Sequence, residues 1–347
     1  MSAEEIAETI DRFVGELAAQ DRFSGAVLLA RDGEVVLEKA WGLASRRFGV
    51  PNQTTTKFNL GSMNKMFTAV AIAQLAEAGK LGFDDPLIEH LPDYPNRNVA
   101  EKVTIHHLLT HTSGLGVFWE AMFETDWTRL RTPADHLPLF VDDELLFEPG
   151  ARFSYSNAGF VVLGLVIEAV SGQSYYDYVR EHVFEPAGMV DSDSWAMDEP
   201  VENLAMGYTR LGPDGHPDPD APLRNNVFLH RARGGPAGGG FSTVRDLLAF
   251  SNTLLGDGLL GIEHVDLVLT GKVASGFGPG ARYAYGFSDR RVEGNRVVGH
   301  SGGAPGINGV LGIFPEDGWT FAVLANMDDA ASRVGERIQE MVGRADD

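Results

Sequence analysis

Two short stretches, one near each end of the chain, limit the folds open to it. "FSGAVLLARDGEVVLEKAWG" (23–42) sets two apolar, β-branched runs on either side of Asp32-Gly33, and "GVLGIFPEDGWTFAVLANM" (309–327) does the same around Asp317-Gly318. Asp-Gly between such runs is a strong hairpin signal. An antiparallel hairpin this early argues against a doubly wound parallel sheet, whose first strand would be followed by a helix.

The segments around and between the hairpins read mostly as helix. "MSAEEIAETIDRFVGELAAQ" spaces Ile6, Ile10, Phe13, Val14 and Leu17 at helical period with acids between them, and "DAASRVGERIQEMVGR" (329–344) closes the chain as a second amphipathic helix. From Ser62 to Gly79 the apolar residues Met63, Met66, Phe67, Val70 and Leu75, with Ala between them, run nearly all round the helix, which predicts burial. Residues 81–236 mix helical patterns with loops. The strongest pattern is "NAGFVVLGLVIEAVSG", Asn157 to a capping Gly172, while "RLGPDGHPDPDAPL" (210–223) reads as a surface loop. After Gly238 strands return, in "YAYGFSDRRVEGNRVVGHSGG" (283–303). The expectation is an α/β (α+β) fold: an antiparallel sheet built from both chain termini and flanked by helices, 1–80 plus 237–347, with a mainly helical domain inserted at 81–236 and an active site in the cleft between them.

Charge and cysteine content narrow the function. Twenty-eight basic against 49 acidic side chains give a net charge of −21, which repels nucleic-acid phosphate and anionic lipid, so the expected partner is a small molecule rather than nucleic acid or a membrane. The first residues lack the basic, apolar, small-residue order of a signal peptide, and a cytoplasmic location is expected. With no cysteine, thiolate metal sites, disulfides and a cysteine nucleophile are excluded.

Three short motifs carry candidate chemistry. Ser62 and Lys65 in "LGSMNKMF" stand at i and i+3 at the head of the buried helix, so the lysine reaches the hydroxyl, and a lysine among Met and Phe needs a reason to be there. The bland alternative is an N-capping serine beside a surface lysine. Tyr155-Ser156-Asn157 precedes the helix at 157–172. A tyrosine near an ammonium group has its phenolate favoured and can take and return a proton, and Asn157 can hold both a lysine and a substrate carbonyl; the alternative is a core tyrosine with an asparagine cap. His300-Ser301-Gly302-Gly303 ends a predicted edge strand whose small residues let a substrate lie close.

S-x-x-K, then Y-x-N, then H-x-G, in this order, resemble the three active-site motifs of the serine β-lactamase and penicillin-binding protein superfamily, in its class C-like esterase and D-peptidase branch. Further resemblance runs through "HHLLTHTSGL" (106–115), "FEPGARFSYSNAGFVVLG" (147–164), "EPAGM" (185–189), "GGGFSTVRDLLAF" (238–250) and "HSGGAPG" (300–306). The resemblance implies Ser62 as acylated nucleophile, Lys65 and Tyr155 as the acid/base pair with the base unassigned between them, Asn157 as polar support, and the backbone N–H groups of Ser62 and Gly303 as an oxyanion hole, with no cofactor and no metal. It further implies small carboxylic esters as substrates, then D-amino-acid amides or peptides, then β-lactams, with acyl transfer to another acceptor open. The related class C β-lactamases carry lysine where His300 stands, which turns the expectation away from carboxylate-bearing β-lactams and toward neutral esters or amides. A catalytically silent binding protein on the same fold is the alternative of another class.

Other features compete for these roles. "GHSGG" (299–303) fits the G-x-S-x-G elbow with Ser301 as nucleophile, but no histidine follows it and Pro305, Gly306 and Gly309 oppose the helix that an elbow needs. His106, His107 and His111 include an i, i+4 pair without the glutamate of the zinc-protease signature, so packing or loop hydrogen bonding is the expected role. Gly238-Gly239-Gly240 lacks a phosphate-loop setting and is expected to let backbone pass close to the cleft. Phe118, Trp119 and Phe123, with Trp127, are candidates for an acyl pocket or for plain core.

Overall fold

Asp32 and Gly33 both take positive φ, 52° and 80°, as the two-residue primed turn requires. They join strand β1 (Gly25–Arg31) to β2 (Glu34–Trp41). The computed structural model describes residues 1–118, 125–212, 218 and 220–344. At the other end of the chain four residues, 315–318, connect β7 (Ile307–Phe314) to β8 (Trp319–Ala325). The Phe314 carbonyl accepts from the Asp317 and Gly318 N–H groups, and only Gly318 is left-handed, at φ 72°. This hairpin therefore turns through a longer loop than the first.

The remaining strands of the sheet are β3 (Val273–Ala274), β4 (Arg282–Tyr283), β5 (Ser288–Val292) and β6 (Asn295–Ala304). The order across the sheet is β2-β1-β8-β7-β6-β5-β4-β3, antiparallel at every pairing. β1 pairs with β8 from Gly25↔Ala325 to Arg31↔Trp319, so the two ends of the chain meet in mid-sheet. Both faces are covered, as the successive burial of Ala26 to Ala30 demands. Val27, Leu29, Val310, Phe321 and Val323 face helices α1 (Ala3–Ala19) and α5 (Ala330–Val342), which contribute Ile6, Ile10, Val14, Val334 and Ile338. Ala26, Leu28, Leu311, Ala322 and Leu324 on the other face join a larger cluster with Met63, Met66, Val70 and Phe250 of the helices α2 (Asn64–Glu77) and α4 (Val244–Leu255) and the turn before α2. Each fully buried Val, Leu or Ile side chain contributes about 1.5–3 kcal/mol.

α2 is buried on every side, with 11 of its 14 residues enclosed, and α3 (Asn157–Ser171) packs beside it, ended by the left-handed Gly172 at φ 75°. Among the described residues no single helix is long and apolar enough to cross a membrane.

The strand β6 departs from expectation. It lies inside the sheet, between β5 and β7, and is not an edge over its whole length. Its pairing to β5 stops at Ser288↔Gly299, while pairing to β7 continues to Ala304↔Ile307. From His300 onward the strand is paired on one side only, and that open side meets the turn before α2.

Candidate active site

Ser62 sits in a single 3₁₀ turn, Gly61–Met63, just ahead of α2. The α-helix starts one residue later with Met63 in the cap position, and neither the turn nor the helix has a side-chain cap bond. The capping role for this serine is thereby removed. Three backbone segments press on the turn. The Leu60 N–H donates to the Gly240 carbonyl at 2.8 Å and the Gly239 N–H to the Gly61 carbonyl at 3.0 Å. A Cβ built on Gly238 would lie 2.7 Å from the Gly61 carbonyl oxygen, and one on Gly302 would lie 1.9 Å from that of Leu60 and 3.0 Å from the Ser62 nitrogen. Glycine at 238 and 302 is thus a condition of the approach. The 238–240 run does bring backbone close to the cleft, and the turn carrying Ser62 also lies against the backbone at Gly303, a Cβ on Gly61 coming within 2.9 Å of the Gly303 nitrogen.

Lys65 is wholly buried. Its Nζ donates to the Asn157 Oδ1 at 2.8 Å and the Ala237 carbonyl at 2.5 Å, and lies 4.8 Å from the centre of the Tyr155 ring and 5.3 Å from that of Phe160. Burial, assisted by the charge on Arg231, holds its pKa well below the usual lysine value. Burial raises the Tyr155 phenol above its usual value, which the nearby Ser62 side chain only partly offsets. Tyr155 is therefore a neutral phenol, contrary to the phenolate expected from its lysine neighbour: desolvation of both groups outweighs their attraction.

His300 is buried, and its Nδ1 donates to its neighbour's carbonyl, Ser301 O, at 2.5 Å. Its Nε2 then accepts from the Tyr283 hydroxyl at 2.9 Å. Burial, then the Lys65 charge, push it down to about 3, the Ser301 bond opposing. The enclosed imidazole is neutral near pH 7. Ser301 is exposed within a continuing strand, so the strand, turn and helix of a nucleophile elbow do not form there.

The histidine trio separates. His106 Nδ1 meets the Tyr285 hydroxyl at 2.8 Å, and His107 forms a capping box with Thr104. His111 belongs to the site, which sequence reasoning did not foresee. It is fully buried with φ at 58°, its ring 4.3 Å from that of Tyr155 and 4.7 Å from that of Tyr283. Its Nδ1 accepts from the Ser156 N–H at 3.1 Å, which fixes the residue ahead of Asn157.

Two cavities meet at Ser62 and Gly303. The first, about 380 Å³, is lined by Phe118, Asn157, Trp195, Met197, Leu229, Arg231, Phe241 and Ile307. The second, about 570 Å³, is lined by Tyr155, Phe277, Tyr283, His300 and Ser301 among others. Phe118 is thus at a cavity wall, Trp127 packs against the main core, and Trp119 and Phe123 lie outside the described residues. Of the predicted residues the structure brings together Ser62, Lys65, Tyr155, Asn157, His300, Gly302 and Gly303, with Ser301 at the rim.

A family profile described as Beta-lactamase matches residues 10–343. The chain is similar to a penicillin-binding protein of Bacillus subtilis (strain 168), 31% identical over 333 residues, which cover 90% of this chain and 70% of that protein. It is similar to esterase EstB of Burkholderia gladioli, 34% identical over 233 residues, 63% of this chain and 58% of that protein. Among solved structures it resembles a penicillin binding protein from Bacillus halodurans, with a TM-score of 0.85, 34% identity, and coverage of 94% of this chain and 98% of that one.

Proposed function

We propose, from the premise that this chain is a serine hydrolase belonging to the Beta-lactamase family, that it cleaves small carboxylic esters through an acyl-enzyme on Ser62. The observation that carries the reading is the setting of Lys65, wholly buried and held by Asn157 and Ala237. A neutral amine has two N–H donors and one lone pair. The two donors are engaged by Asn157 and Ala237, and the lone pair remains for a proton. With its pKa held down, Lys65 is the general base and Tyr155, a neutral phenol near Ser62, is the relay.

Ser62 Oγ attacks the ester carbonyl carbon as its proton passes through Tyr155 to Lys65. The Ser62 and Gly303 N–H groups stabilise the oxyanion. When the C–O bond to the leaving alcohol breaks, the proton returns through Tyr155 to that oxygen. Water then attacks the acyl carbonyl carbon and gives a proton to the same base, and that proton passes to Ser62 Oγ as its bond to the acyl carbon breaks, releasing the acid and free Ser62. Each step is a proton or acyl transfer among these groups and calls for no cofactor. Because Tyr155 lines the second cavity, the alcohol leaves on that side and the acyl group lies in the first, beside Asn157 and Phe118. We also read 81–236 as an inserted, mainly helical domain above the sheet domain of 1–80 and 237–347.

Ester is preferred to β-lactam because His300 is neutral where related β-lactamases carry a lysine, and the similarity to an esterase agrees. The test is turnover of p-nitrophenyl acetate beside nitrocefin, in wild type and Ser62→Ala. The ester should be cleaved faster, and Ser62→Ala should lose turnover with an unchanged circular dichroism spectrum. Undiminished activity in that variant would end the reading.

A further inference from the structure

Among the described residues Arg231 is a guanidinium without a counter-ion. It is set deep, with part of its surface open to the first cavity. Its Nη2 donates to the Gly238 carbonyl, one residue past the carbonyl that receives Lys65. Among the described residues no carboxylate forms an ion pair with it, and none lines that cavity. Burial lowers its pKa, and the groups that oppose this are two neutral phenols, Tyr176 and Tyr175. A guanidinium stays charged in a protein, so its desolvation is uncompensated until an anion arrives.

The cavity has the other half of a matching shape. Trp195, Met197, Leu229, Phe241 and Ile307 add apolar wall to the cavity that Ser62 and the guanidinium also line. A chain of methylenes would pass along that wall, its carbonyl at Ser62 and a negative group at Arg231. The acidic exterior opposes anions at long range, but that field is screened over about 8–10 Å, so the fixed cation governs inside. Planar, bidentate donors make arginine suited to a carboxylate.

We propose that Arg231 makes the first cavity a subsite for acyl groups ending in a carboxylate, so that half-esters of short dicarboxylic acids are the preferred substrates. This rests on the ester reading above, and on the acyl group lying in the first cavity. It differs from the carboxylate position lost with His300, which belongs to the opposite side of Ser62.

The experiment uses full-length Ser62→Ala protein, in which the ligands stay intact, and isothermal titration with monomethyl glutarate and with its neutral counterpart dimethyl glutarate. The half-ester should bind about 10- to 100-fold more tightly, the discrimination of a desolvated charged hydrogen bond. The preference should vanish when Arg231→Gln is added and persist in part with Arg231→Lys. Equal binding of the two ligands to Ser62→Ala overturns the inference without reference to any arginine variant. Wild-type turnover of p-nitrophenyl hemiglutarate and p-nitrophenyl valerate is measured in parallel. Binding preference with no turnover of either ester would leave the subsite standing and remove the ester reading, while turnover of both without a binding preference would do the reverse.

Discussion

Lys65 and Arg231 are both deep in the protein, and they donate to neighbouring carbonyls, Ala237 and Gly238, of one glycine-rich loop. Burial acts on the two in the same direction and with opposite chemical results. The lysine's proton is labile, so desolvation and the nearby arginine make it easier to lose, which suits the base proposed above. The arginine cannot release its proton, so the same desolvation leaves a charge in want of an anion. On the reading proposed here, the same environment yields a catalyst from one side chain and a binding group from the other.

The strongest way to break this comparison is to exchange the chemistry of the two cations. Lys65→Met should lower kcat/KM for p-nitrophenyl acetate by about 10³-fold or more, as removal of a general base that works as a unit with its nucleophile does. Lys65→Arg should be just as inactive, because a guanidinium supplies charge but no lone pair. Substantial activity in Lys65→Arg would mean that the charge of Lys65, and not its basicity, matters.

A smaller loss tests the backbone that both sides share. Gly302→Ala places a methyl 1.9 Å from the Leu60 carbonyl oxygen, so the turn carrying Ser62 must shift away from β6. We expect kcat to fall about 10²-fold, the loss of one oxyanion donor, with KM changed much less. Wild-type kcat would show that the Gly303 N–H is not used.

The smallest effect is on stability against pH and involves a third buried base. His300 is neutral in the folded protein down to about 3, whereas an unfolded histidine is charged below about 6.5. The unfolded chain therefore binds more protons in that window, and stability falls as pH drops through it. Between pH 6.5 and 5 this amounts to about 2 kcal/mol, and His300→Gln should lose that much less of its unfolding free energy in urea titrations at the two pH values. An identical pH response in the variant would place the dependence elsewhere, with His111 the next group to examine, since burial holds it well below the usual histidine value too.

Much of this was legible in the residues. The two Asp-Gly hairpins, the buried helix from Ser62 and the order of strands and helices carry local signals of turn chemistry and period, and these gave the antiparallel sheet joined from both ends. Ser62, Lys65, Tyr155, Asn157 and His300 carry a spacing that could be matched to a family. Arg231 has neither. It stands in an irregular stretch whose depth is decided by the glycine loop folding over the turn at Gly61, a contact across 170 residues or more. His111 was assigned to loop packing because only the tertiary fold puts its ring against Tyr155. The neutral state of Tyr155 escapes the sequence for a related reason: proximity of charges can be guessed from motifs, but desolvation depends on everything packed around them.

The most direct measurement is intact-protein mass spectrometry after exposure to a serine-reactive fluorophosphonate, wild type beside Ser62→Ala, at several pH values. A single adduct on wild type, forming readily at neutral pH and absent from Ser62→Ala, is what a Ser62 activated by a Lys65 of lowered pKa predicts. An adduct that persists in Ser62→Ala, or no adduct on wild type at any pH, would contradict it.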